Sequence, residues 1–176
     1  MRRRVIATAA LFVLTILVVV SGCDYFKVVT TPVIHPTIDL IIVEKTSHRM
    51  VLLHNGQVQK VYYVALGRGG LGPKEIAGDN KVPEGTYRIT GRNPRSAFHL
   101  SLRIDYPTSE QAQAAQRNGL DPGGDVMIHG IRNGLGWIGG LHRKVDWTRG
   151  CIAVTDREIE EIWRIVPDGT VIVIRP

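Results

Sequence analysis

The chain has 176 residues, a formal net charge of +6 and 44% hydrophobic residues. This length suits one domain with a substantial hydrophobic core. The excess charge is partly local, because the net charge falls from +6 to +3 without Arg2, Arg3 and Arg4. No strong basic field then remains, so the composition does not indicate a nucleic-acid partner.

The N-terminus resembles an export signal that ends in a lipid attachment site. Three arginines precede an uncharged run from Val5 to Val20, and two small residues lead to Cys23. A basic start, a short apolar run and small residues predict a signal peptide over residues 1–22. The ending "VSGC" resembles the bacterial lipobox, in which the cysteine is acylated. The alternative is an uncleaved anchor helix, for which about 20 apolar residues are needed.

We therefore expect a lipoprotein anchored through Cys23 on the periplasmic side of a membrane. Residues 23–37 contain prolines and little periodicity and predict a tether, and residues 38–176 predict one folded domain. Asp24 resembles the signal that retains enteric lipoproteins in the inner membrane. We expect the protein to be a monomer.

The other cysteine, Cys151, would be unpaired in an exported protein if Cys23 carries lipid. Oxidising compartments usually pair thiols, so an unpaired cysteine is a candidate reactive residue. The structural alternative is a buried, inert cysteine.

The predicted strands span most of the domain. Residues 37–67 contain Val, Ile, Leu and Tyr runs around Asn55-Gly56, a pair that favours tight hairpins. Residues 85–90, "GTYRIT", follow a Pro-Glu turn signal, "DVMIHG" ends on His129, and "TVIVIR" closes the domain.

Two short helices complete the prediction. Residues 106–119 indicate a helix that is capped near Thr108 or Ser109 and stopped at Gly119. Residues 155–158, "TDRE", match a capping box, and the helix that follows presents an apolar face. That face consists of Ile159, Ile162, Trp163 and Val166. The Gly- and Trp-rich residues 131–144 predict a loop, and the domain as a whole is expected to be mainly β with peripheral helices.

The stretch "GRGGLG" at residues 67–72 fits the GxGxxG pattern of dinucleotide-binding proteins. That pattern requires a helix starting there and an acidic residue about 20 positions later. Pro73 follows directly and does not continue into an amphipathic helix, and the region near Arg92 is basic instead of acidic. The sequence therefore does not favour a dinucleotide-binding site. We expect these glycines to form a turn or to allow close approach of a substrate backbone.

The chemistry of a reactive cysteine requires a base, because a free thiol has a pKa of about 8.5. Histidine is the usual partner. The domain contains five histidines, namely His48, His54, His99, His129 and His142. His129 is the best candidate because it ends an apolar strand and is followed by Gly130, which leaves room for substrate. Gly150 before Cys151 permits an unusual turn that aims backbone N–H groups at an oxyanion.

The sequence "IHG", seventeen residues and then "TRGC" resemble the signature of the L,D-transpeptidase catalytic domain, of the YkuD or ErfK/YbiS type. The pattern of that family is His-Gly, a loop of similar length, and Ser/Thr-x-Gly-Cys. The segments "GDNKVPEGTYRIT" and "DPGGDVMIHG" also resemble the family, and the similarity covers residues 38–176.

The resemblance implies a β-sandwich-like domain in which Cys151 is the nucleophile and His129 its base. It further implies that the Gly130 carbonyl is the third catalytic element. N–H groups around Arg149, Gly150 and Cys151, in the motif that begins at Thr148, would form the oxyanion hole.

The implied substrate is a peptidoglycan stem peptide. Cys151 would attack the carbonyl of the third stem residue, expel the terminal D-alanine and form a thioester. An amine would then accept the acyl group. It would come from a second stem, which gives a 3→3 cross-link, or from a protein, which thereby becomes attached. The family requires no metal or cofactor, and carbapenems acylate it.

Two positions depart from the family pattern. Arg149 replaces a frequent histidine, and Ala153 replaces a frequent Arg or Asn that is expected to bind a substrate carboxylate. Arg149 either supplies that charge or is a solvated loop residue. Relatives with a small residue at the position of Ala153 include hydrolases, so an amidase or L,D-carboxypeptidase of the same fold is the alternative.

A non-catalytic lipoprotein that binds the cell wall is a third interpretation. Trp137 and Trp147 either line the groove or pack the loop, and we favour packing. His99 and Tyr106 are further candidates for the surroundings of the site, although their spacing gives no evidence for it.

Overall fold

The computed structural model describes residues 37–176, so Cys23, Asp24 and the predicted signal peptide lie outside the described residues. The strands are β1 (Leu40–Glu44), β2 (Arg49–His54), β3 (Gln57–Tyr63), β4 (Gly85–Ser96), β5 (His99–Ile104), β6 (Met127–His129), β7 (Ile152–Ala153) and β8 (Val171–Arg175). The helices are α1 (Ser109–Arg117), α2 (Asp156–Ile165) and a 3-10 segment (Gly136–Lys144). The predicted fold class, mainly β with short helices, is confirmed.

The eight strands form one continuous sheet in the order β3-β2-β1-β8-β4-β5-β6-β7. Strand β4 joins its two halves, because residues 85–88 pair with β8 and residues 89–96 pair with β5. Most pairs are antiparallel, but β1 with β8 and β6 with β7 are parallel. The chain just after β3 also pairs with β7, since Ala65 and Ala153 exchange backbone hydrogen bonds of 2.9 and 3.0 Å. The sheet therefore curves until its two ends meet.

The core lies inside this curved sheet and under α2. Alternate residues of the central strands are fully buried, as expected when successive side chains point to opposite faces. Helix α2 contacts β5 and β6 and buries Ile159, Ile162 and Ile165. The predicted helical face is confirmed for Ile159, Ile162 and Val166, whereas Trp163 is only partly buried against the core.

Several local predictions are confirmed. The hairpin between β2 and β3 turns at Asn55 and Gly56, both with positive φ, as a two-residue hairpin turn requires. Thr108 and Thr155 are the N-caps of α1 and α2, and each forms a complete capping box.

Other elements differ from the prediction. Strand β4 continues six residues past the predicted end at Thr90, and β5 was not predicted. The predicted loop at residues 131–144 contains a 3-10 segment that is kinked at Gly139. Within residues 37–176, no helix combines the length and apolar character needed to cross a bilayer.

The glycines of "GRGGLG" form a tight turn, and no helix follows in residues 67–84. A Cβ at Gly67 would lie 2.0 Å from the Asn80 carbonyl oxygen, and one at Gly69 would lie 1.9 Å from that of Asp79. The backbone that approaches these glycines is therefore the protein's own. The buried ammonium of Lys45 holds this region by donating to the carbonyls of Gly72 and Val82.

The two capping boxes differ in what their helices bury, and this difference is testable. Thr155→Ala should lower the free energy of unfolding by about 1 kcal/mol, because the cap satisfies an N–H group of a helix that packs on the core. Thr108→Ala should cost less, because α1 buries only Ala115 and can fray locally. Urea unfolding of both variants measures the two losses, and equal losses would contradict the expectation.

Candidate active site

His129 ends strand β6 and is almost fully buried, with 4% of its surface exposed. Its Nδ1 lies 2.7 Å from the carbonyl oxygen of Gly130. A carbonyl can only accept, so Nδ1 carries the hydrogen and Nε2 is left with a free lone pair. Burial lowers the pKa of His129 below its ordinary value of 6.5, and the hydrogen bond to Gly130 opposes this only partly. The imidazole is therefore neutral at pH 7 and able to accept a proton.

Two aromatic rings hold the imidazole in place. The ring of Phe98 lies 4.6 Å from that of His129, and the ring of Trp147 lies 5.6 Å away in an edge-on orientation. Phe98 comes from the turn between β4 and β5, and its carbonyl also accepts from the Gly130 N–H at 3.1 Å. Phe98 thus holds the end of β6 through its ring, which packs on His129, and through its backbone carbonyl, which binds Gly130.

The turn before Cys151 is organised by the buried hydroxyl of Thr148. This oxygen accepts from the N–H groups of Gly150 and Cys151, at 3.2 and 3.0 Å, and donates to the Cys151 carbonyl at 2.7 Å. Two of the three expected oxyanion donors therefore already have an acceptor. An oxyanion must compete with the Thr148 oxygen for them.

Gly150 is required at its position for two reasons. Its φ is +111°, and a Cβ there would lie 2.8 Å from the carbonyl oxygen of Lys81. Backbone from the segment after the glycine-rich turn thus packs directly against the residue before Cys151. Any other residue at position 150 would displace one of these two backbone segments.

The pairing of β6 with β7 brings Cys151 and His129 together. The strands are parallel, with Ile128 opposite Ile152. Cys151 precedes this pair and His129 follows it, so both side chains lie on the same face of the sheet, diagonally across the two strands. They line one cavity of about 570 Å³. The residues around it are Ser96, Phe98, Asp125, Met127, His129, Arg132, Trp147, Thr148, Arg149 and Cys151.

The thiol of Cys151 is a neutral S–H group in this environment. Burial raises its pKa, and the neighbouring Asp125 carboxylate raises it further, against the effect of a hydrogen bond from the Met127 backbone. The sulfur lies 3.5 Å from the Asp125 carbonyl oxygen, to which the S–H donates. Within residues 37–176, Cys151 forms no disulfide.

The remaining predicted residues occupy different places. Arg149 is exposed at the cavity, whereas Ala153 is fully buried between His129 and Ala65 and places no polar group there. Trp147 both lines the cavity and packs the loop. The packing expected for Trp137 is wrong, because this side chain is 81% exposed.

The other histidines and Tyr106 do not line the cavity. His48 pairs with Asp146, His54 with the Thr37 carbonyl, His99 with Glu160, and the Tyr106 hydroxyl donates to the Pro122 carbonyl. His142 is buried and accepts from the Trp147 indole N–H at 3.4 Å, and burial lowers its pKa to about 4.

Sequence reasoning missed several residues of the cavity. Met127 and Asp125 precede His129 at alternate positions, so the period of two in a strand was an available signal. The turn that carries Phe98 was not placed because β5 was not predicted, although "HLSLRI" alternates polar and apolar residues as a strand does. In the described residues, no group of His, Cys, Asp and Glu side chains is arranged to hold a metal ion.

A family model and a protein relative match this chain. Residues 38–174 match the YkuD L,D-transpeptidase catalytic domain. Over 117 residues the chain is 29% identical to an Escherichia coli K12 protein named "Putative L,D-transpeptidase YafK", which covers 65% of this chain and 40% of that protein.

Solved structures show the same fold. The helical cell shape determining protein Pgp2 from Campylobacter jejuni superposes with a TM-score of 0.60 at 23% identity, over 80% of this chain and 48% of that chain. An L,D-transpeptidase from Mycobacterium smegmatis gives 0.52 at 15% identity, over 78% and 58%. The chain spans less than half of YafK and of Pgp2. With the family domain matched over most of its length, the chain belongs to the YkuD-type L,D-transpeptidase catalytic domain family.

Proposed function

We propose that this protein is a cysteine acyltransferase that acts on peptidoglycan stem peptides. The observation that carries the proposal is the shared cavity of Cys151 and His129, in which the Gly130 carbonyl fixes the imidazole with a free Nε2. A thiol and a base oriented by a third group form the arrangement that nucleophilic catalysis needs.

The first half of the reaction forms a thioester. As the Cys151 sulfur attacks the carbonyl carbon of the third stem residue, Nε2 of His129 takes the thiol proton. The carbonyl oxygen becomes an oxyanion near the N–H groups of residues 149–151, where Gly150 and Cys151 exchange the Thr148 oxygen for it. The protonated imidazole then gives its proton to the nitrogen of the leaving D-alanine, and the C–N bond breaks.

The second half transfers the acyl group. The amine of a second stem peptide attacks the thioester carbon, His129 takes a proton from this amine and returns it to the sulfur, and the C–S bond breaks. A 3→3 cross-link results, or a stem–protein link if the amine belongs to a protein. The chain's own residues supply each of these proton transfers.

A hydrolase of the same fold is the second candidate, and the buried Ala153 favours it. Ala153 is fully buried and contributes no charged or polar group that could hold an amine acceptor in the cavity. Water would then resolve the thioester and release a tripeptide.

We also propose that the protein works as a monomer on the periplasmic side of a membrane, anchored by lipid on Cys23. The export signal and the lipobox-like "VSGC" support this location. Asp24 favours the inner membrane.

A carbapenem tests the nucleophile directly. The protein should gain one drug mass by intact mass spectrometry, because the drug acylates the reactive sulfur. Cys151→Ala should gain none, and Cys23→Ser should react like the wild type. His129→Ala should react about 100-fold more slowly or worse, because its thiol loses the general base. Absence of an adduct on the wild type would favour the non-catalytic, wall-binding interpretation.

Muropeptides with tetrapeptide stems separate transferase from hydrolase. The proposal predicts cross-linked dimers with a tripeptide donor, detected by chromatography and mass spectrometry. Free tripeptide as the sole product would instead establish the hydrolase.

The pH dependence of alkylation tests the resting state of the thiol. Since the pKa of Cys151 is raised, its thiolate fraction and its rate with iodoacetamide should rise about tenfold per pH unit from pH 7 to pH 9. A small reference thiol with an ordinary pKa of about 8.5 should level off earlier. Peptide mass spectrometry follows Cys151 separately from Cys23. A plateau below pH 8 would instead indicate a preformed thiolate–imidazolium pair.

A further inference from the structure

A second cavity lies beside the first on the same face of the sheet. It has a volume of about 330 Å³ and shares Met127 with the Cys151 cavity. Ser101 and Arg103 line it, and we call this space the lateral cavity.

The strand register places the lateral cavity next to the nucleophile. Arg103 on β5 is opposite Met127 on β6. Met127 and Cys151 each directly precede the paired residues Ile128 and Ile152, so they lie side by side in the Cys151 cavity. Neighbouring strands are separated by about 4.8 Å, so the Cα atoms of Arg103 and Cys151 are about 10 Å apart. Residues opposite each other share a face, so the three side chains form one row. An amino acid joined to the carbonyl under attack can reach from the sulfur across Met127 to the guanidinium.

The lateral cavity contains an unused hydrogen-bonding group. Ser101 is 1% exposed, and its hydroxyl has no hydrogen-bond partner among the described residues. A buried hydroxyl without a partner carries a cost in free energy that a polar ligand would remove. Ser101 is opposite His129 on the neighbouring strand, so its side chain lies directly beside the base, two residues along β5 from Arg103.

The cation of the lateral cavity is Arg103. Its guanidinium pairs with the Asp125 carboxylate at 2.7 Å, with both side chains more than half exposed. Such an exposed pair adds little stability, so a ligand carboxylate can share or replace Asp125. Arg92 also borders the cavity, but its guanidinium lies elsewhere, bonded to Asp168 and to the carbonyls of Trp163 and Val166.

We propose that the lateral cavity binds the carboxylate of the amino acid on the amine side of the reacting bond. This inference rests on the proposed function. The ligand is a residue with a carboxylate next to the reacting nitrogen: the D-alanine that leaves the donor and, by microscopic reversibility, the acceptor that enters. Arg103 supplies the charge-assisted bonds, and Ser101 donates to the same carboxylate.

The test compares two donor peptides, a stem tetrapeptide with a free C-terminal carboxylate and the same peptide as its C-terminal carboxamide. The measured quantity is kcat/KM for release of the terminal residue, and the readout is the ratio between the peptides. A loss of folding or of the nucleophile lowers both rates together and leaves this ratio unchanged.

The wild type should prefer the carboxylate, and Arg103→Gln should reduce the preference by about 10-fold to 100-fold. Ser101→Ala should reduce it by about 3-fold to 10-fold, because a neutral donor is lost. Arg117→Gln, an exposed arginine on α1, removes the same charge at a distance and should keep the wild-type ratio.

The outcomes separate this inference from the proposed function. If the wild type releases D-alanine but Arg103→Gln keeps the full preference, the inference is wrong and the proposed function stands. Loss of the preference in Arg149→Gln instead of Arg103→Gln would also overturn it and assign the carboxylate to the Cys151 cavity. If the wild type forms no acyl-enzyme with either peptide, the proposed function fails and this inference fails with it.

Discussion

The parallel pairing of β6 with β7 is the constraint on which the site depends. These strands have only three and two residues, yet their register puts a thiol and an imidazole on one face although 21 residues separate them in the chain. So short a pair is not stable alone. It is stabilised because β6 also pairs with β5 and because the chain after β3 bonds to Ala153 on the other side of β7. The position of Cys151 thus depends on the closure of the whole sheet.

Burial shifts the pKa values of Cys151 and His129 in opposite directions, and both shifts favour the neutral form of the group. It raises the pKa of Cys151 and lowers that of His129, so each group is neutral before substrate arrives. In the proposed reaction, the thiol proton moves to His129 only when the sulfur begins to form a bond to carbon. A thiol that stays neutral is protected from alkylation and oxidation, because both reactions depend on the thiolate.

The fold class and the proximity of Cys151 to His129 could be predicted from the sequence because their signals are local or rest on a distinctive motif. The Asn55-Gly56 turn and the caps at Thr108 and Thr155 depend on neighbouring residues alone. Strand β5 was missed although "HLSLRI" alternates polar and apolar residues and prolines stand on both sides of it, and with it the positions of Phe98, Ser101 and Arg103 were lost. The contacts of these residues come from pairing across the sheet, which no spacing in the chain encodes. The role of "GRGGLG" was predicted as a turn, but its partner, the Asn80 backbone, depends on tertiary structure.

Strand β4 uses its two faces for different purposes. Arg92 points toward the end of α2, where it bonds the last carbonyls of the helix and stacks on Trp163, while Asn93 next to it is opposite Ser101 on the other face. Because side chains alternate along a strand, removal of one residue here would exchange these positions. The guanidinium of Arg92 would then face the lateral cavity, and the side-chain amide of Asn93 would face the helix. During evolution this strand can therefore accept replacements at single positions far more readily than insertions or deletions.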